Sequence, residues 1–224
     1  MTPSIPPEIF SFLNELEKNN TREWFSANKA RFKAIEAEMK IVNQALYMAM
    51  QKHDEIDKMK MFRIYRDVRF SKDKTPYKTH FGCSFHRKKP ELRGGYYLQI
   101  GPGASFLATG FWNPEKEDLL RIRKELALDA DEFRAIIGDS KFVKTWGQLQ
   151  GDELKTAPKG FSKEHKDIDL IRKKQFIFTK TYTDQEVVSA DFLVQVTRAF
   201  KDVRPYFDYM SDVLTTDLNG VSLL

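Results

Sequence analysis

Thr79–Trp112 reads THFGCSFHRKKPELRGGYYLQIGPGASFLATGFW. Phe81, Cys83 and Phe85 share one parity, and His80, Gly82, Ser84 and His86 share the other. That is the two-residue period of a strand with one face in a core. After RKKPELRGG come GYYLQI, the turn GPGAS and then FLATGFW. Three or four antiparallel strands joined by short loops are the simplest reading. Upstream, Phe62, Ile64, Val68 and Phe70 alternate with Arg63, Tyr65, Asp67 and Arg69, which predicts another strand. SKDKTP, closed by Pro76, predicts a loop after it. Downstream, QFIFTKTYT alternates Phe176, Phe178, Lys180 and Tyr182 and predicts a further strand.

Helical patterns flank these runs. Pro6-Pro7 precede EIFSFLNELEKNN, in which Phe10, Leu13 and Leu16 recur at helical spacing. Asn20 and Glu23 have the spacing of a capping box. They would open one long helix to about Lys52, striped by Phe25, Asn28, Phe32, Ile35, Met39, Val42, Leu46 and Ala49. Asn28 is the polar member of that stripe and needs a partner. Asn113-Pro114 would cap a helix carrying Leu119, Leu120, Ile122 and Leu126. A short helix around Asp131 to Ile137 ends at Gly138. Phe142 to Lys174 reads as loop with a short strand and a short helix near Asp167. Thr183 and Glu186 form another capping box, opening a helix that Pro205 interrupts before PYFDYMSDVL. The fold class is therefore α+β. One domain over 1–224 is expected, with an antiparallel sheet of four to six strands, a long N-terminal helix and C-terminal helices.

The composition is that of a globular chain with a sizeable core: 224 residues, 41% hydrophobic and 31% charged, with 18 phenylalanines to fill the interior. No apolar run approaches the roughly 18 residues of a membrane span. MTPSIPPEIF lacks the basic start and apolar stretch of a signal peptide. A lone cysteine, Cys83, excludes an internal disulfide. The expectation is a cytoplasmic protein without a membrane partner.

The charge is unevenly spread. Phe62–Gly95 carries ten arginines and lysines against Asp67, Asp73 and Glu91, a net +7, while the whole chain is +5. A local basic surface points to an anionic ligand. Arg66 falls between Ile64 and Val68 on the apolar parity. A buried guanidinium needs a partner. It would either floor a pocket for phosphate or carboxylate, or make an internal salt bridge. Arg63, Asp67 and Arg69 share the other face with Tyr65, and Lys72, Lys74 and Lys78 lie in or beside the loop. They read either as a phosphate cradle or as a solvated charged face. Arg87, Lys88 and Lys89 read as a solvated hairpin tip.

Motifs of known chemistry are missing. The glycines match no phosphate loop or dinucleotide fingerprint. Alternation puts Cys83 on the opposite face from His80 and His86, which argues against a shared metal. Glu164, His165, Asp167 and Asp169 read either as a metal or general-base site or, more simply, as acids complementing a short helix dipole, with Arg172, Lys173 and Lys174 at its other end. No nucleophile elbow is present. The sequence names no cofactor and no metal ligand.

NNTREWFSANKARF, FRIYRDVRFSKDKTPYKTHFG, GGYYLQIGPG, GFWNPEKEDLLRIR, and PKGF followed by DLIRKKQF occur in this order. In these the chain resembles the bacterial and fungal family called domain of unknown function 2461, from about Pro7 to about Asp212. The resemblance implies a single-domain cytoplasmic protein and brings no catalytic residues with it. It places Asn19, Asn20, Arg22, Trp24 and Lys29 beside the basic string as family motifs. The expected function is binding of, or action on, an anionic and phosphorylated small molecule. Arg66, Arg69, Lys74 and Lys78 would hold the anion, Asp67 would orient an arginine or act as a base, and Trp24 or Tyr77 would cover an apolar part. The alternatives are a nucleic-acid-binding module, with Tyr65, Tyr77, Tyr96 and Tyr97 stacking on bases, and a protein-interaction domain.

Overall fold

The structure, a computed structural model, describes residues 3–224. The strands are β1 (Ile56–Met61), β2 (Phe81–Arg87), β3 (Gly95–Ile100), β4 (Ser105–Phe111) and β5 (Phe176–Tyr182). They form one five-stranded antiparallel sheet in sequence order, flanked by helices. Before the sheet come α1 (Glu8–Lys18), α2 (Arg22–Ala27) and α3 (Lys29–Met50). Between β4 and β5 lie α4 (Lys116–Leu128), α5 (Asp131–Gly138), α6 (Ser140–Trp146) and α7 (Ile168–Ile171). After β5 come α8 (Asp184–Val187), α9 (Phe192–Asp202) and α10 (Arg204–Thr215). The class is α+β, and five strands lie within the expected range.

The chain divides into two compact units. One comprises Met1–Phe85, Tyr97–Leu107 and Thr181–Arg198. Its core is a ladder of rings: Phe12 to Phe32 at 6.0 Å, Phe32 to Phe81 at 6.0 Å and Phe32 to Phe25 at 5.0 Å. Arg31 of α3 bridges Glu8 and Glu15 of α1, both at 2.6 Å, and lays its guanidinium over Phe12. The other unit comprises His86–Tyr96, Ala108–Lys180 and Ala199–Leu224. Tyr206 is central to it. Its buried hydroxyl donates to the Phe176 carbonyl at 2.8 Å, and its ring meets those of Phe111, Phe133, Phe178 and Phe207. Gly110 has φ +117°, and a Cβ there would lie 2.1 Å from the Phe176 carbonyl oxygen, so the strand pairing depends on glycine.

Several sequence expectations are corrected. Thr21, not Asn20, caps α2, accepting from the Trp24 N–H at 3.2 Å. The expected long helix breaks at Asn28, whose side chain donates to the Trp24 carbonyl at 2.9 Å; only α3 continues, for 22 residues. Glu115 rather than Asn113 precedes α4, where Ile122 and Leu126 are buried and Leu120 is exposed. α6 lies within a stretch read mainly as loop. Asp139 caps it by accepting from the N–H groups of Lys141 and Phe142 at 3.0 and 2.9 Å. The last long helical run breaks between α8 and α9, where Ser189 donates to the Glu186 carbonyl and the Asp191 carboxylate.

The expected strand over Phe62 to Phe70 does not exist. The ladder lies one segment earlier, in β1, an edge strand whose Asp57, Lys58 and Lys60 suit a solvent-facing border. Phe62 still donates to the Gly82 carbonyl at 2.8 Å, and the chain then leaves the sheet. Ile64 is buried, whereas Phe70 is 98% exposed, so no apolar face forms.

Arg87 overturns the solvated reading. It continues the parity of Phe81, Cys83 and Phe85, and its side chain is fully buried. Nη2 donates to Asp208 at 2.9 Å, and Nη1 donates to Ser211 Oγ at 3.2 Å and to the Arg93 carbonyl at 3.1 Å. The guanidinium lies 5.2 Å from the Phe207 ring centroid. Arg87→Ala is expected to lower unfolding stability by about 3–5 kcal/mol, because it abandons these acceptors and leaves a cavity. Urea unfolding measures it, and a loss below about 1 kcal/mol would refute this role.

Candidate functional site

The residues from Phe62 to His80 form a clasped loop. The Arg66 N–H donates to the Pro76 carbonyl at 2.9 Å, and the Lys78 N–H donates to the Ile64 carbonyl at 2.8 Å. Between them Tyr65 and Tyr77 pair as an isolated antiparallel bridge. In such a pair the flanking residues carry the hydrogen bonds, so Tyr77's own N–H and C=O turn outward. Asn20 meets both: Oδ1 accepts from the Tyr77 N–H at 3.1 Å, and Nδ2 donates to the Tyr77 carbonyl at 3.0 Å. One side-chain amide thus stands in for a neighbouring strand. The Tyr77 ring stacks on Phe25 at 4.0 Å and is 6% exposed.

Within the loop Arg66 binds Asp73 and Thr75 through Nη1 and approaches Ser71 Oγ at 3.5 Å through Nη2. The guanidinium is therefore an internal fastener, paired with a loop acid. Asp73 also accepts from the Thr75 N–H and hydroxyl at 2.9 and 2.8 Å. The Thr75 N–H foremost, then Arg66 and the Thr75 hydroxyl, pull the Asp73 carboxyl down to about 2. Asp67 pairs with Arg69, accepting from Nε at 3.0 Å and Nη2 at 2.7 Å. This pair is exposed and contributes little to stability. The Arg69 contact also holds the Asp67 carboxyl below its ordinary value. Lys74 donates to the Val68 carbonyl at 2.9 Å. Trp24 lies on α2 with its ring 5.7 Å from Phe12.

Lys78 differs from the other loop cations. Its Nζ donates to the Arg63 carbonyl at 3.1 Å and lies 5.5 Å from the Phe62 ring centroid. Burial, and then the nearby Arg63 charge, lower its pKa. Burial, and then Lys78, likewise lower that of His80. Phe62 in turn faces Tyr97 at 6.1 Å, and Tyr97 faces Phe106 at 5.8 Å, a row of half-exposed rings. A Cβ at Gly82 would lie 2.5 Å from the Tyr97 hydroxyl, so glycine makes room for that ring.

Both acids of the loop are engaged by Arg66 and Arg69. Arg63, Lys72, Lys74 and Lys78 have no carboxylate partner among the described residues. The structure thus groups Arg66, Asp67, Arg69, Lys74 and Lys78 on one loop. It seats Tyr77 beneath that loop and turns Trp24 toward Phe12. The parts that sequence reading missed are the Asn20 clasp and the Phe62–Tyr97–Phe106 row. Asn20 directly precedes a cap residue, which left the long-range contact unseen.

The acids near α7 are structural. Arg134 Nε donates to the buried Asp167 at 2.8 Å, and Nη2 donates to Asp169 at 2.7 Å. Cys83 is buried, and burial pushes its thiol up to about 12.

Fold and loop together define an α+β protein bearing a basic loop fastened to its N-terminal helices. The chain belongs to the family of conserved hypothetical proteins DUF2461, which it matches over residues 8–209. No curated protein and no solved structure matches it. Among the described residues no helix is long and apolar enough to cross a membrane.

Asn20→Ala is expected to cost about 2 kcal/mol and to speed amide exchange at Tyr77 and Arg66. Unchanged exchange at both amides would show that the clasp is not needed. Asp73 has a depressed folded-state pKa, so its contribution is fully present above its ordinary value of 3.8 and is lost as pH falls through about 2. An NMR titration following the Thr75 amide should have its midpoint near 2, and in Asp73→Asn that step should vanish. A midpoint near the ordinary value would contradict the clasp.

Proposed function

We propose that this protein binds a small phosphorylated or otherwise anionic molecule at the basic loop. The supporting observation is the setting of Lys78. Its ammonium group is partly desolvated, donates to the Arg63 backbone carbonyl at 3.1 Å, feels the Arg63 charge, and has no carboxylate partner among the described residues. A partly desolvated ammonium group near a second cation is disfavoured, and an anion placed on it relieves that cost. The scaffold under them is fixed by the Asn20 clasp and the Phe25–Tyr77 stack, so little ordering entropy opposes binding. Lys60 and Lys78 both lie over the Phe62 ring, at 5.2 and 5.5 Å from its centroid, and the half-exposed rings of Tyr97 and Phe106 beyond it would meet an apolar or planar part of the ligand. Arg66 and Arg69 act here as supports, since their guanidinium groups already serve Asp73 and Asp67.

The test follows the His80 imidazole by NMR as inorganic phosphate or pyrophosphate is added. Anion bound at Lys78 should raise the His80 pKa toward its ordinary value, and Lys78→Gln should weaken that response about tenfold. An unmoved His80 at saturating pyrophosphate would eliminate the site. Oligonucleotide binding that tightens with strand length and falls steeply with salt would replace this reading with the nucleic-acid one.

A further inference from the structure

A basic cavity of ≈ 450 Å³ lies in the unit that contains α7. Its walls include Lys155, Thr156, Phe161, Lys163, Ile168 and Arg172. Three lining side chains are cationic and none is a carboxylate. The volume is within the range of small-molecule sites. Phe161 and Ile168 supply an apolar wall, and the Thr156 hydroxyl can donate or accept.

The acids nearby cancel part of this charge and lie outside the cavity lining. Glu153 accepts from Arg172 Nη2 at 3.1 Å, and it also pairs with Lys173 at 3.2 Å. Glu164 lies 3.7 Å from Lys163, and it is exposed and bound to the Ser162 hydroxyl at 2.7 Å. Lys155 has no carboxylate partner among the described residues. Arg172 Nε is buried and has no acceptor among the described residues. A buried guanidinium donor without an acceptor is uncommon. The Arg172–Glu153 pair and the bond from the Leu154 N–H to the Arg172 carbonyl at 2.8 Å fix this arginine.

We propose that this cavity is a second, independent anion site, and that it takes an organic phosphate ester. The phosphate sits among Lys155, Lys163 and Arg172, and the organic group lies against Phe161 and Ile168. Guanidinium and ammonium groups around a phosphate give charge-assisted hydrogen bonds, and the apolar wall sets a preference for an ester over the bare ion. This assignment does not rest on the loop site, because it uses other residues and a separate, open cavity.

Phenyl phosphate is the probe, titrated into the full chain and followed by calorimetry and by amide shifts. Shifts are expected at Phe161, Ile168 and Arg172, with binding stronger than that of inorganic phosphate. In Lys155→Gln/Lys163→Gln, both exposed positions whose replacement leaves the fold intact, affinity should fall about tenfold or more. Shifts confined to residues 62–80, equal binding of phenyl phosphate and inorganic phosphate, or wild-type affinity in the double variant would each overturn the proposal. The loop resonances report separately, so failure here leaves the loop reading standing, and the reverse holds.

Discussion

The Asn20 side chain fixes the backbone of Tyr77, and the basic loop depends on that contact. An isolated two-residue bridge has too few hydrogen bonds to hold the net-positive excursion from Arg66 to Pro76. Asn20 adds two bonds at the point where the bridge offers outward-facing groups. The Phe25 ring beneath Tyr77 then buries the hinge of the loop against α2. Repulsion among the loop cations works against this closure. Asp73 and Asp67 offset part of it, each taking one arginine, and the remaining charge stays concentrated on lysines and Arg63.

The basic segment that dominates the sequence has three separate fates. Arg87 goes into the core, where carboxylate, hydroxyl, carbonyl and ring contacts surround its charge. Arg66 fastens the loop, and Arg69 serves Asp67 at the surface. Arg63, Lys72, Lys74 and Lys78 form the portion with no carboxylate partner among the described residues. A count of charges treats all of these alike, because it carries no information about which side chains meet acids. Only the last group offers a ligand something that the protein has not already used.

Much of the fold was legible because its signals are local. The alternation of Phe81, Cys83 and Phe85, the capping box at Thr183 and Glu186, and the glycine ending α5 each depend on neighbours a few residues away. What failed was long-range. Alternation over Phe62 to Phe70 has the strand period, but after Phe62 leaves Gly82 it finds only the isolated Tyr65–Tyr77 bridge to pair with. The edge strand β1 is half lysine and aspartate, with only methionines and one isoleucine to mark it. An arginine on an apolar strand face must find a partner, and in this sheet that residue is Arg87 rather than Arg66. Two residues beyond Phe85, it was hidden by the lysines that follow it. At the candidate site, residue types were readable and their pairings were not, since which cation meets Asp73 or Asp67 is decided by the loop's closure.

Cys83 gives the molecule a built-in clock. It is the lone thiol, it sits on β2 in the middle of the unit that carries the loop, and burial holds it protonated. Alkylating reagents attack the thiolate, so they meet this sulfur only when the strand opens. The rate at which the chain takes up one label therefore counts openings of β2, without any engineered probe.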